Sequence, residues 1–414
     1  MIFFVIDFLR DVLGMKVPYA FENISTRMML AAITSLMISI FFGTRFIKKL
    51  YELKIGQSIR AEDCPLLGVL HEKKKDTPSM GGALILFSML ISMFLWMDLH
   101  HVFTLILFAT TVVLGGLGAR DDYLKLKHKN SKGISGKKKL LIQVALGGAI
   151  ALYLLCPSIY DLFSSSNWYY PPVVKEQVHI ALNLDPSFAD EKPTQVVIAH
   201  VPISLQEYAS RLYIPFLKGH VIQIPLLLAG LFIILVITGT SNAVNLTDGL
   251  DGLASGCLIM VASCLALIAF ISNNIDLAGY LNILYIEGSG EIAIYLSAFI
   301  GACIGFLWYN GYPAQIIMGD TGSLSLGGIV GVSAVLLKKE LLLVIIGGVF
   351  VVEALSVILQ VASYRLRNKK RIFLCAPLHH HFEYKGWAET KVVLRFWIVG
   401  LLLAIIGMVS LKFQ

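Results

Sequence analysis

The chain has 414 residues, 57% of them hydrophobic and only 15% charged, with a formal net charge of +7. Soluble domains are nearer half apolar and a quarter charged; this balance excludes an ordinary soluble protein, and the apolar residues fall in blocks of about 20, the thickness of a bilayer core. The positive charge lies in short loops between those blocks, which reports membrane orientation and argues against a nucleic-acid partner, while Cys64, Cys156, Cys257, Cys264, Cys303 and Cys375, with no CxxC spacing, form neither a disulfide framework nor a zinc site.

The opening stretch MIFFVIDFLRDVLGMKVPYA is interrupted by Asp7, Arg10 and Asp11 and predicts an amphipathic segment at the interface rather than a signal peptide. Ten membrane helices follow, near 28–47, 81–97, 102–119, 140–156, 222–240, 253–272, 291–309, 323–337, 341–363 and 395–411. The eighth, SLSLGGIVGVSAVLL, is glycine-rich, which lets membrane helices approach closely. Residues 157–221 form a long Pro-containing loop in which VHIALNL and QVVIAHV read as short strands of a small hairpin. Lys and Arg concentrate in 48–80, 120–139 and 364–394, which the positive-inside rule places in the cytoplasm. The 157–221 loop is then external, and ten spans put both termini outside the cytoplasm. The predicted fold is an all-α integral membrane domain with a cleft facing the cytoplasm.

The polar clusters, in chain order, all fall on that cytoplasmic face. Lys73-Lys74-Lys75 precede Thr77-Pro78 at the mouth of the second helix, where lysines pair either with anionic lipid heads or with a diphosphate. Asp121-Asp122 ends the third helix, where the dipole disfavours negative charge; they are either solvated or beside a cation. Asn242 to Gly252 holds Asn245, Asp248 and Asp251 and no basic residue, a donor set for a hard cation or for hydrogen bonds to a nucleotide. Asp248 and Asp251 share a face if that segment is helical. Asn310-Gly311-Tyr312-Pro313 and then Gly319-Asp320-Thr321-Gly322-Ser323 put a carboxylate and backbone amides at a helix start, suited to magnesium and phosphate; no Walker A lysine follows. His379-His380-His381 in the last cytoplasmic loop reads either as a zinc site or, better, as contact with an anionic substrate, because adjacent histidines do not face one metal. Spacing alone therefore points to a magnesium-dependent enzyme acting on phosphates.

Together these motifs resemble the phospho-N-acetylmuramoyl-pentapeptide-transferase family, within the polyprenyl-phosphate sugar-1-phosphate transferases, over nearly the whole chain. The resemblance is densest at KKKDTPSMGG, GARDDYLK, SNAVNLTDGLDGLA, GFLWYNGYPAQIIMGDTGSLSLGG and RIFLCAPLHHHFEYKGW; PLHHHFE followed by KGW is the most specific. It implies ten helices, magnesium, residence in the bacterial cytoplasmic membrane among its lipids, and commonly a membrane dimer. It implies transfer of phospho-MurNAc-pentapeptide from UDP-MurNAc-pentapeptide to undecaprenyl phosphate, giving lipid I and UMP, the first membrane step of peptidoglycan synthesis. By motif, Asp320 matches the magnesium-binding aspartate and Asp121 and Asp122 the catalytic pair. Asn245, Asp248, Asp251 and Asn310 match the polar loops beside nucleotide and diphosphate. Lys74 or Lys75 and Lys139 match cleft lysines, and His379, His380 and His381 match substrate-contacting histidines. Asp76 stands where the family has glycine before Thr-Pro, Ser79 replaces a second threonine, and the 157–221 loop is longer than usual. A relative using UDP-GlcNAc or another UDP-sugar is the rival within the class, which PLHHHFE argues against. A transporter is the rival outside it, disfavoured because the carboxylates gather at one face rather than at the midplane.

Overall fold

The computed structural model describes residues 6, 8–16, 18–52, 77–128, 133–164, 172–182, 195–217 and 221–413. Among these, nine helices are long and apolar enough to cross a membrane, and Gly81–Trp96 is a shorter apolar helix. They are α1 (Ile24–Glu52), α2 (Gly81–Trp96), α3 (Val102–Lys127), α4 (Gly136–Leu155), α5 (Leu226–Thr247), α6 (Leu253–Ser272), α7 (Ser289–Asn310), α8 (Gly319–Leu336), α9 (Gly348–Leu366) and α10 (Glu389–Ser410). The fold is an all-α integral membrane bundle.

Two helices form its centre. Every residue of α8 from Thr321 to Leu336 is buried, with α3 and α5 packed against it. Most of α7 is buried as well, between α1 and α6. Helices in lipid gain little from apolar burial and are held by close packing, which explains the small residues of α8. A Cβ at Gly331 would lie 2.2 Å from the Thr240 hydroxyl and 3.2 Å from Ile237 Cα of α5, so a glycine there lets the two helices approach closely. The outer helices keep large apolar residues exposed, among them Phe41, Leu355, Ile358 and Leu402, a surface that lipid would cover.

Successive helices alternate in direction, so 121–122, 248–251, 310–320 and 377–383 come to one end of the bundle. The opposite end carries the sheets. Strand β1 (Val174–Leu182) pairs antiparallel with β2 (Gln195–Ile203), from Val174↔Ile203 to Leu182↔Gln195. The pair β3 (Arg211–Tyr213) and β4 (Val221–Gln223) makes a second ribbon. Strand β5 (Tyr285–Ile286) extends the first sheet in the order β2-β1-β5. This segment is fastened to the far end of α8: the Tyr208 hydroxyl donates to Leu336 C=O, and the buried Lys338 Nζ reaches Ala209 C=O at 3.1 Å and Glu340 Oε1 at 2.6 Å.

Several helices outrun their apolar blocks at the site end. Helix α3 continues eight residues past 119, and α5 reaches Thr247 instead of 240. Helix α4 starts at Gly136 and α8 at Gly319, so that Lys139 and Asp320 are helical. Hydropathy reports depth in lipid, whereas the backbone ladder continues into the polar region while its donors and acceptors stay paired. The ninth span is divided into Glu340–Ile346 and α9, meeting at Gly347.

Candidate active site

Three carboxylates converge where α3 meets the start of α8. One oxygen from each of Asp121, Asp122 and Asp320 lies within 4.8 Å of the others. Asp121 and Asp122 are buried inside the last two turns of α3, not beyond its end. The dipole penalty expected there is offset by two lysines. Lys125, one turn on from Asp121, places Nζ 2.7 Å from Asp121 Oδ2 and 3.1 Å from Asp320 Oδ2. Lys139 of α4 reaches the same two oxygens at 2.8 and 2.5 Å. Sequence reasoning missed Lys125 within its basic run; the Asp-x-x-x-Lys spacing on one helix face was the available signal.

The three aspartates do different work. Asp122 accepts from the backbone N–H groups of Asp320 (3.1 Å) and Thr321 (2.9 Å) and from the Thr321 hydroxyl (2.6 Å). It therefore caps α8 from another helix, and the amides expected to serve phosphate are already occupied by this carboxylate. Asp121 Oδ1 accepts from Ile134 N–H at 2.5 Å, while its buried Oδ2 has no well-aligned hydrogen bond and faces the two ammonium groups. Asp320 Oδ1 accepts from Asn245 Nδ2 at 3.0 Å. Asn245 also donates to Ser323 Oγ at 2.8 Å. One turn deeper, the buried Gln143 donates to Ser241 Oγ and accepts from Asn242 Nδ2, both at 2.9 Å. That clasp joins α4, which carries Lys139, to α5, which carries Asn245.

Backbone contact sets the position of Asp320. A Cβ at Gly118 of α3 would lie 2.2 Å from Asp320 O. Gly118→Ala is expected to push the first turn of α8 away, at a cost of about 1–3 kcal/mol. Gly116→Ala, where a Cβ meets nothing within 4 Å, is the neutral control. Thermal unfolding of both variants in detergent checks this; equal melting temperatures would mean that α8 yields freely.

Asp248 and Asp251 lie in the turn that follows α5 and do not share a helix face as expected. Asp248 accepts from the Gly319 backbone, and burial, with Asp320 and Asp122 beside it, pushes its pKa up to about 7. It borders the carboxylate cluster. Asp251 turns the other way and accepts from Ala314 N–H at 3.0 Å. The Asn310 amide is used within the protein: it accepts from Gly252 N–H at 3.0 Å and donates to Ile316 C=O at 2.9 Å. Both side chains thus shape the loops beside the carboxylate cluster.

The short helix Leu378–Tyr384 gives its three histidines three different settings. His379 is fully buried, with Nδ1 3.2 Å from Glu353 Oε2. Glu353 also accepts from the backbone N–H groups of Leu378 and His379 at 2.8 and 3.0 Å, holding the helix start. Gly249 of the aspartate turn abuts this ring, since a Cβ there would lie 2.3 Å from His379 Nε2. His380 Nδ1 pairs with Glu383 Oε2 at 2.7 Å. His381 Nδ1 accepts from Leu374 N–H at 3.1 Å, and burial and Lys385 lower its pKa. Lys74 and Lys75 lie outside the described residues.

The donor set suits a hard divalent cation: carboxylate oxygens without sulfur or imidazole, one from each aspartate and close together. Asp121 and Asp320 could hold such an ion, since both Asp122 oxygens already serve α8.

Residues 193–338 match the profile of Glycosyl transferase family 4. The chain is 67% identical over 417 residues to the phospho-N-acetylmuramoyl-pentapeptide-transferase of Protochlamydia amoebophila (strain UWE25), covering all of both chains. It is 44% identical to the protein of that name from Methylacidiphilum infernorum (isolate V4), over 95% of each chain. Against that from Brachyspira hyodysenteriae (strain ATCC 49526 / WA1) the identity is 43%, again over 95% of each.

Proposed function

The chain belongs to the phospho-N-acetylmuramoyl-pentapeptide-transferase family, and from that premise we propose that it moves phospho-MurNAc-pentapeptide from UDP-MurNAc-pentapeptide to undecaprenyl phosphate, releasing UMP and leaving lipid I. The observation that carries this reading is the meeting of Asp121, Asp320, Lys125, Lys139 and Asn245 at one end of a membrane bundle. The basic loops of that end favour its facing the cytoplasm of a bacterial inner membrane. The nucleotide donor then arrives from water and the acceptor from lipid, and the cleft brings their phosphates together.

In the proposed reaction a phosphate oxygen of the lipid attacks the sugar-linked phosphorus. The bond to the bridging oxygen breaks, and UMP leaves with that oxygen. Asp320 and Asp121 would hold magnesium, which supplies charge neutralisation to the diphosphate and the leaving phosphate. Lys139 and Lys125 then exchange their carboxylate pairing in part for diphosphate oxygens, at a site already built for negative charge. A phosphomonoester has a second pKa of about 6, so the acceptor needs no strong base from the protein. Asp251 and Asn310 keep the surrounding loops in place, and His380 and His381, on the partly exposed side of their helix, contact the donor.

A transfer assay in detergent tests this. With undecaprenyl phosphate and magnesium, UDP-MurNAc-pentapeptide is expected to yield lipid I and UMP, and UDP-GlcNAc to yield no lipid product. Turnover with UDP-GlcNAc alone would move the chain to a sister transferase. A phospho-enzyme formed with donor in the absence of acceptor would replace direct attack with a two-step route.

A further inference from the structure

The polar residues of the site leave unexplained a second charged feature, the turn that follows α9. Arg365, Arg367, Lys369, Lys370 and Arg371 are all exposed, and among the described residues none of the five is paired with a carboxylate. Five like charges in seven positions repel one another, so a loose loop would spread them apart. This one is held. Arg367 N–H donates to Ser363 C=O at 2.8 Å and Lys369 N–H to Tyr364 C=O at 3.0 Å. The Ser363 hydroxyl donates to Lys370 C=O at 2.9 Å. Gln360 Oε1 accepts from both Ile372 and Phe373 N–H at 3.0 Å, and its Nε2 donates to Phe373 C=O at 3.1 Å. Asn368 and Lys369, with φ of 49° and 63°, make the reversal.

The depth of the turn is set by α9. Leu355, Ile358 and Leu359 are exposed on the outer face, and Leu366, eleven residues on from Leu355 and so on the same face, is 84% exposed. The apolar stripe thus runs to the last residue of α9, where the bases begin. Beyond the turn Ile372 and Leu374 are again exposed. Water is a poor neighbour for these side chains, and a soluble anion would leave them uncovered. A bilayer interface satisfies both halves, acyl chains covering Leu366, Ile372 and Leu374 while headgroup phosphates meet the bases.

We propose that the 365–371 turn of this protein is a binding site for the headgroup of an anionic phospholipid. A headgroup held there keeps the chain that enters the histidine helix at the bilayer surface. The inference does not rest on the catalytic reading, because it is measured as lipid binding without turnover.

The test titrates the detergent-solubilised full chain with fluorescent phosphatidylglycerol, and with phosphatidylcholine as control. The wild type is compared with a variant carrying Arg365→Gln, Arg367→Gln, Lys369→Gln, Lys370→Gln and Arg371→Gln. Phosphatidylglycerol is expected to bind the variant at least about tenfold more weakly. Its binding to the wild type should also weaken as salt rises from about 50 to about 500 mM. Phosphatidylcholine should bind both proteins alike. Equal phosphatidylglycerol binding by both proteins overturns the proposal. So does a variant that keeps phosphatidylglycerol but loses undecaprenyl phosphate, which would make the turn an acceptor site. Melting temperatures guard against misfolding; if the fivefold variant unfolds, the milder Lys369→Gln/Lys370→Gln pair must still weaken phosphatidylglycerol about threefold, and unchanged binding there equally overturns the proposal.

Discussion

Replacing Asp320 with asparagine is expected to lower turnover by about 10³-fold, the scale for removing a preorganised charge from a transition state, while the protein keeps its fold. The side chain joins three elements: Oδ2 sits 2.5 Å from Lys139 and 3.1 Å from Lys125, and Oδ1 accepts from Asn245 at 3.0 Å. Asparagine preserves the shape, and both lysines keep Asp121 as a partner at 2.7 and 2.8 Å. The start of α8 keeps its cap, because Asp122 bonds the backbone of residues 320 and 321 rather than the side chain. What is lost is negative charge where the cation would sit, so the affinity for divalent cation should fall together with kcat. Calorimetric titration with magnesium beside the transfer assay reads both. Turnover within tenfold of wild type, or unchanged magnesium affinity, would remove Asp320 from the centre of the site.

The largest stability effect is expected at the other end of the bundle. Arg27 of α1 bonds both oxygens of Glu291 of α7, at 2.7 and 3.0 Å, and donates through Nε to Trp96 C=O at 2.7 Å. Glu291 also accepts from Asp98 N–H at 2.9 Å. The two side chains are only 4% and 9% exposed. Arg27→Met leaves a buried carboxylate without its cation, and breaking such a pair from one side costs about 3–5 kcal/mol. Adding Glu291→Gln removes the stranded charge and keeps an acceptor for Asp98, so the double variant should recover most of the loss. Denaturant unfolding of the two variants reads the difference, and a single variant within about 1 kcal/mol of wild type would show that the pair contributes little. Turnover per folded molecule should be unchanged, since no residue of this pair approaches the carboxylate cluster.

The sequence alone determined the membrane architecture, because a span must be apolar for about 20 residues whatever its neighbours are. It also determined which short motifs carry oxygen ligands and charge, since these are properties of residue type. Packing decided what each of those groups does. Asp122 and Asp320 lie 198 positions apart, yet one caps the helix that starts beside the other. Asp248 and Asp251 are neighbours in sequence, but the turn after α5 sends the first to the cluster and the second to Ala314. Lys125 and Gln143 look ordinary in the chain and become meaningful only where α3, α4, α5 and α8 meet. Periodicity and partitioning are local quantities that a linear reading captures. Which donor meets which acceptor depends on the close approach of whole helices, as at Gly118 against Asp320, and that is a property of the packed bundle.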